Sequence, residues 1–146
     1  MESAPEFKRD VDEETSLMSV PSPSRFVILV VDDHAWIRKI IAQALADEYV
    51  ILTAATGKEA LRVLDRIKVD MILSDLIMPE MGGLPMGYEV RRRFPDLPIV
   101  FISGHLDSGT FEQARALTPY YVTKPFGVED LQNQVKDLLL ELGLQK

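Results

Sequence analysis

A doubly wound α/β domain built on a five-stranded parallel sheet is predicted by three features of this 146-residue sequence. From Phe26 onward, short β-branched runs alternate with segments of helical period, the pattern of a sheet whose strands are joined by crossover helices. The central residues of the runs are apolar without alternation, as strands covered on both faces should be. Three of the intervening segments repeat apolar residues every three or four positions, which turns one face of a helix toward that sheet.

The first strand is read over 26–31 (FVILVV), followed by a helix whose stripe is Ile37, Ile40, Ile41, Ala44 and Leu45. A second strand at 49–54 (YVILTA) leads through the helix entry Thr56-Gly57 into a stripe of Ala60, Leu61, Leu64 and Ile67. The third strand is 70–74 (DMILS), and the helix after it, 84–94, is interrupted by Pro85 and Gly87, two residues that weaken a helix interior. Strand 98–102 (PIVFI) precedes a two-turn helix at 110–117, and strand 120–123 (YYVT) precedes the last stripe, Val128, Leu131, Val135, Leu138, Leu139 and Leu142. The pattern is (βα)5, and right-handed crossovers place helices on both faces of the sheet. Residues 1–25, with Pro5, Pro21, Pro23, five serines and the acidic run Asp10 to Glu14, read as a disordered tail of charge −3 preceding one domain at 26–146.

Composition narrows the function. The longest apolar run is far short of a membrane span, the N-terminus lacks a secretory pattern, and the absence of cysteine excludes disulfides and thiolate metal sites. A reducing cytoplasm is the expected compartment. A formal charge of −7 argues against direct binding of nucleic acid or of an anionic membrane.

In folds of this kind ligands gather at the carboxyl ends of the strands. The residues expected there are Asp32 and Asp33 after the first strand, Asp75 after the third, Ser103 after the fourth and Lys124 after the fifth. Singly, each has an ordinary reading: a helix cap, a turn, a solvated lysine. Together they put three carboxylates at one edge, where mutual repulsion calls for a cation. Oxygen-only ligation favours a hard divalent ion such as Mg²⁺, which retains waters and accepts phosphate oxygens. A carboxylate is also a nucleophile toward phosphorus, and a metal, an ammonium and a hydroxyl meet the needs of phosphoryl transfer.

The acidic pair Asp32-Asp33, the segment from Asp75 through Pro79 to Gly82-Gly83, then Ser103 and the triplet Lys124-Pro125-Phe126 stand in order along the chain. On these residues the sequence from 26 to 146 resembles the receiver domain of two-component response regulators, a CheY-like, flavodoxin-like fold. The resemblance implies a strand order of 2-1-3-4-5, which is the order the general account of doubly wound folds gives for a member of this family. It implies that Asp75 accepts a phosphoryl group from a sensor histidine kinase or phosphotransfer protein, and that Asp32, Asp33, Asp75 and the backbone carbonyl of Ile77 surround Mg²⁺. It further implies that Lys124 contacts the phosphoryl group, that Ser103 hydrogen-bonds one of its oxygens, and that Tyr121 changes rotamer with the switch. Such a protein catalyses its own phosphorylation and dephosphorylation and signals to a downstream protein, in some cases as a phosphorylation-dependent homodimer. With only Gly143 to Lys146 after the last helix, a stand-alone or excised receiver without an output domain is expected.

The chain departs from that family's pattern in a few places. The Ser103 to Lys124 spacing is one residue short, Thr118-Pro119 stands where a Gly-Ala pair is common, and Ile77 is apolar where some members carry a residue that orients water. Pro125 marks a candidate cis peptide. Trp36, at the edge of its stripe, is expected to be partly buried, and Arg91-Arg92-Arg93 to form a solvated helix face. His34 reads as helix entry and His105 as a possible influence on hydrolysis; neither has the spacing of a transition-metal ligand. Three other readings compete: a pure interaction module with an inert site, a flavodoxin-like cofactor binder, and an aspartyl-phosphate phosphatase of another α/β fold.

Overall fold

The computed structural model describes residues 25–78, 81–104 and 109–143. Expectations about the tail before Arg25, about Pro79 and about His105 therefore lie outside the described residues. Strands β1 (Val27–Val31), β2 (Val50–Ala54), β3 (Met71–Asp75), β4 (Ile99–Ser103) and β5 (Tyr121–Thr123) alternate with helices α1 (Ala35–Leu45), α2 (Gly57–Leu64), α3 (Gly83–Arg93), α4 (Gly109–Leu117) and α5 (Val128–Glu141). All strands pair in parallel, in the order β2-β1-β3-β4-β5. The expected fold class and strand order are both borne out.

Two apolar layers sandwich the sheet, and the two-residue period of a strand sends alternate side chains to each. Leu29, Val31, Ile72, Ile99 and Phe101 meet α2, α3 and α4, whereas Ile28, Val30, Met71, Leu73, Val100 and Ile102 meet α1 and α5. Each is essentially inaccessible to solvent. Full burial of one such side chain is worth ~1.5–3 kcal/mol, so the three central strands form the main store of stability.

Every strand starts one residue later than was read, and β3 and β4 also end one residue later. The readings of the third and fourth strands stopped before Asp75 and Ser103, but pairing belongs to the backbone, and these two residues stay in register with Ile102 and Thr123. At the opposite edge Asp70 drops out of β3 and binds the start of β1 instead: Val27 N–H donates to its Oδ2 at 2.8 Å.

The helix ends follow local chemistry. Thr56 caps α2 by accepting from the Glu59 N–H, and Glu59 Oε1 in turn accepts from the Ala55 N–H, a reciprocal arrangement that satisfies two otherwise orphaned donors. Pro85 sits in the first turn of α3, where its missing N–H has no intrahelical acceptor to lose. Gly87, which looked like a weakness, is where α3 passes closest to its neighbours: a Cβ there would lie 2.6 Å from Leu117 Cδ2 and 3.1 Å from Phe101 Cζ.

Several apolar residues assigned to helical stripes or their edges are exposed. Ile67 falls beyond the end of α2, Ile40 and Val128 face solvent, and Trp36 is 64% exposed rather than partly buried. The arginine run is a surface feature, as expected, but an organised one. Arg92 and Arg93 both donate to Glu89, whose carboxyl they hold down to about 2, and Arg91 donates to the carbonyls of Pro95 and Leu97.

Thr118, one of the departures noted above, has a structural role. It is buried, its hydroxyl donates to the Ile99 carbonyl at 2.7 Å, and it accepts from the Tyr120 N–H at 3.3 Å. This clamps the α4–β5 connection to the base of β4. Thr118→Val keeps the shape but strands that carbonyl, so a loss of about 1–3 kcal/mol is expected in urea unfolding. An unchanged midpoint would show that the clamp contributes nothing.

Candidate functional site

The strand order places the carboxyl ends of β1, β3, β4 and β5 side by side, and backbone bonds continue the ladder one residue past β1, β3 and β5. Asp32 N–H donates to Ala54 O, Leu76 N–H to Ile102 O and Lys124 N–H to Ser103 O, at 2.9 to 3.1 Å. The side chains at this edge are therefore set by the rigid sheet rather than by loops. Asp32 follows β1, Asp75 ends β3, Ser103 ends β4 and Lys124 follows β5. All the side chains expected at the edge are there.

Asp32 is fully buried. Its Oδ1 accepts from the His34 N–H at 2.8 Å, and the Arg38 guanidinium donates to its backbone carbonyl at 2.6 Å. Its Oδ2 is buried and accepts no hydrogen bond among the described residues, and the same is true of Asp33 Oδ1. Buried carboxylate oxygens left in this condition are costly, which is the signature expected of a site made for a cation.

Asp75 is almost inaccessible, and Lys124 Nζ lies 3.5 Å from its Oδ2. Burial pushes the Asp75 carboxyl above the ordinary carboxylate range. The Lys124 ammonium pulls it back, the Asp32 charge adds to the rise, and the Ile77 N–H, which donates to it, opposes. One donor atom each from Asp32, Asp33, His34 and Asp75 falls within 4.8 Å of all the others. Hard carboxylate oxygens with two buried and unpartnered acceptors fit a divalent cation of the Mg²⁺ kind.

Helix α3 begins at Gly83 packed against the end of β3, and this close approach requires glycine. A Cβ on Gly83 would stand 2.4 Å from the Asp75 carbonyl oxygen and 2.9 Å from Leu76 Cα, backbone atoms that cannot give way. Ile77 leaves its side chain about half exposed beside the site. The Lys124–Pro125 peptide is cis, as its sequence suggested.

Ser103 is buried on β4, one register step from Asp75. Tyr121, at the start of β5, is half-buried: its ring meets Phe111 edge-on at 5.1 Å, and the Arg115 guanidinium lies over it at 5.8 Å. Two residues escaped the sequence reading. Arg38 was hidden because its partner is a backbone carbonyl, although its position four after His34 on one helical face was a usable signal. His34 was set aside for want of a spaced partner, yet its ring nitrogen lies beside both neighbouring aspartates.

Comparison with known proteins gives a consistent picture. Residues 28–136 match the family model for the response regulator receiver domain. The transcriptional regulatory protein GlrR of Escherichia coli is 35% identical over 117 residues, covering 77% of this chain and 26% of that protein. The sensor kinase CckA of Brucella abortus is 32% identical over 116 residues, 77% of this chain and 12% of its own length. The chain thus spans only about a quarter of the first of these relatives and an eighth of the second. Among solved structures, the chemotaxis protein CheY4 of Vibrio cholerae superposes with a TM-score of 0.74 at 29% identity, covering 80% of this chain and 100% of that one.

The raised Asp75 carboxyl has a consequence for stability. A carboxyl whose folded pKa lies above its unfolded value favours folding while protonated, and that contribution is lost as pH rises through the folded pKa. In the absence of divalent cations, Asp75→Asn is therefore expected to be more stable than wild type at pH 7, with the gain shrinking on acidification. Urea titrations of both proteins across that range check this, and a variant less stable at pH 7 would contradict it.

Proposed function

Because the chain belongs to the response regulator receiver family of two-component signalling systems, we propose that it is a phosphorylation-controlled switch that accepts a phosphoryl group on Asp75. The donor is a sensor histidine kinase or a phosphotransfer protein. The observation that carries this reading is the buried Asp75 carboxylate with an ammonium 3.5 Å from one oxygen and two further carboxylates in the same cluster.

An Asp75 oxygen attacks phosphorus, the new O–P bond forms as the bond to the donor nitrogen breaks, and that nitrogen keeps the electron pair. Catalysis of such a transfer is largely positioning and charge neutralisation. When bound by Asp32, Asp33, Asp75 and the Ile77 carbonyl, Mg²⁺ supplies charge neutralisation at the phosphoryl oxygens. Lys124 is the fixed cation for one oxygen, and the Ser103 hydroxyl donates to another after transfer. Tyr121 reports the change from between Phe111 and Arg115, and a differential contact of this kind is what shifts a population from one state to the other.

In this reading residues 26–146 form the receiver, preceded by a tail at 1–25, and the protein works in the cytoplasm. The phosphorylated form is recognised by a downstream protein or by a second copy of the chain, without direct contact with nucleic acid or membrane. The same groups catalyse loss of the phosphoryl group to water.

With acetyl phosphate and Mg²⁺, intact mass should show a single phosphoryl adduct that Asp75→Asn abolishes; stoichiometric labelling of that variant would place the acceptor elsewhere. Spontaneous hydrolysis should be slow, since Ile77 offers no hydrogen bond to an attacking water and its side chain shields the approach. Ile77→Asn should speed phosphate release severalfold in a phosphate-release assay. Equal rates would remove Ile77 from control of the lifetime.

A further inference from the structure

Beyond the aspartates, the geometry points to His34 as a nitrogen ligand of the acidic cluster, so that the site takes a borderline divalent cation of the Mn²⁺ to Ni²⁺ series in preference to Mg²⁺. This rests on the reading of the cluster as a cation site and adds the class of ion that it selects.

The backbone holds His34 in place. It precedes α1 in an extended conformation, its N–H donates to Asp32 Oδ1, and its carbonyl accepts from the Arg38 N–H at 3.0 Å. The imidazole is thereby folded back over the aspartates, with Nδ1 3.3 Å from Asp32 Oδ1 and 3.4 Å from Asp33 Oδ1. The second contact is informative: Asp33 Oδ1 is buried and accepts no hydrogen bond even with a ring nitrogen beside it. Asp32, fully buried, has its Oδ2 equally unpartnered. The ring itself is about half exposed and can shift toward an ion without disturbing the core.

Imidazole is a borderline donor. Adding it to carboxylates contributes little to the binding of Mg²⁺, which prefers oxygen and gives up water reluctantly, but much to Mn²⁺, Co²⁺ or Ni²⁺, in rising order along that series. The ordinary alternative is that His34 merely hydrogen-bonds the aspartates.

The two readings are separable with the full chain. The sequence has two histidines and no cysteine, so pulsed electron paramagnetic resonance of bound Mn²⁺ should show one directly coordinated imidazole nitrogen, lost in His34→Ala and kept in His105→Ala. Calorimetric titration with Ni²⁺ and Mg²⁺ should show the Ni²⁺ to Mg²⁺ affinity ratio falling about ten-fold or more in His34→Ala, the scale expected even for weaker supporting contacts to a metal. Absence of the nitrogen signal in wild type, its loss only in His105→Ala, or an unchanged ratio would overturn the assignment of His34. If the signal is absent but Asp33→Asn and Asp75→Asn still abolish binding of both ions, the acidic site stands and only the nitrogen ligand falls. If those two variants bind both ions as wild type does, the cluster is not the cation site and both readings fall.

Discussion

The constraint on which this molecule turns is electrostatic: Asp32 and Asp75 are held out of water at the ends of adjacent strands, with one lysine ammonium, among the described residues, against Asp75. Unpaired buried charge costs several kcal/mol per ion in a relaxed protein. An isolated loop would open to relieve it. Here it cannot, because each aspartate is tied to the sheet by ladder bonds that continue past the strand end. The stability of the two apolar layers thus maintains an arrangement of charge that is unfavourable by itself, and a ligand that relieves the repulsion is bound at a site already formed.

The surroundings of the edge serve the same end. Gly83 lets α3 begin directly behind the Asp75 carbonyl, and Arg38 and His34 fasten Asp32 from the first turn of α1. On the far side of β4 the fit is close but more open to solvent. Tyr121 is bounded by Phe111 and Arg115 on α4 and is only half-buried, and α4 meets α3 through Leu117 at Gly87. A fixed cluster beside a more open helix–strand contact is a physical basis for passing a local change in charge outward.

Much of this was legible in the sequence because the signals were those of backbone periodicity and of residue type at strand ends. The continuous apolar runs gave the parallel sheet, and Asp32, Asp33, Asp75, Ser103 and Lys124 could be placed at one edge before any coordinates. What escaped depended on neighbours in space. Ile40 was counted inward, and Trp36 at the edge of the same stripe, on helical period alone, but the apolar layer over that face is completed by α5 and does not cover them. Gly87 read as a defect because Leu117 and Phe101, which need the room, are far away in sequence. His34 was dismissed since ligand spacing was sought along the chain, whereas its partners are the two residues immediately before it, brought under the ring by an extended backbone.

The parallel order has a further consequence for how the domain can be attached to anything else. Arg25, just before β1, reaches the Ala46 carbonyl at the end of α1, on the rim away from the carboxylates. Helix α5 returns toward that same rim: Gln132 already binds the Ala44 carbonyl, and two more turns follow. Both Arg25 and the end of α5 are thus attachment points on the rim opposite Asp75, and neither takes up space at the carboxylate edge. A change of charge at Asp75 reaches those two points only through the thickness of the domain, and an approach to the carboxylates does not pass them.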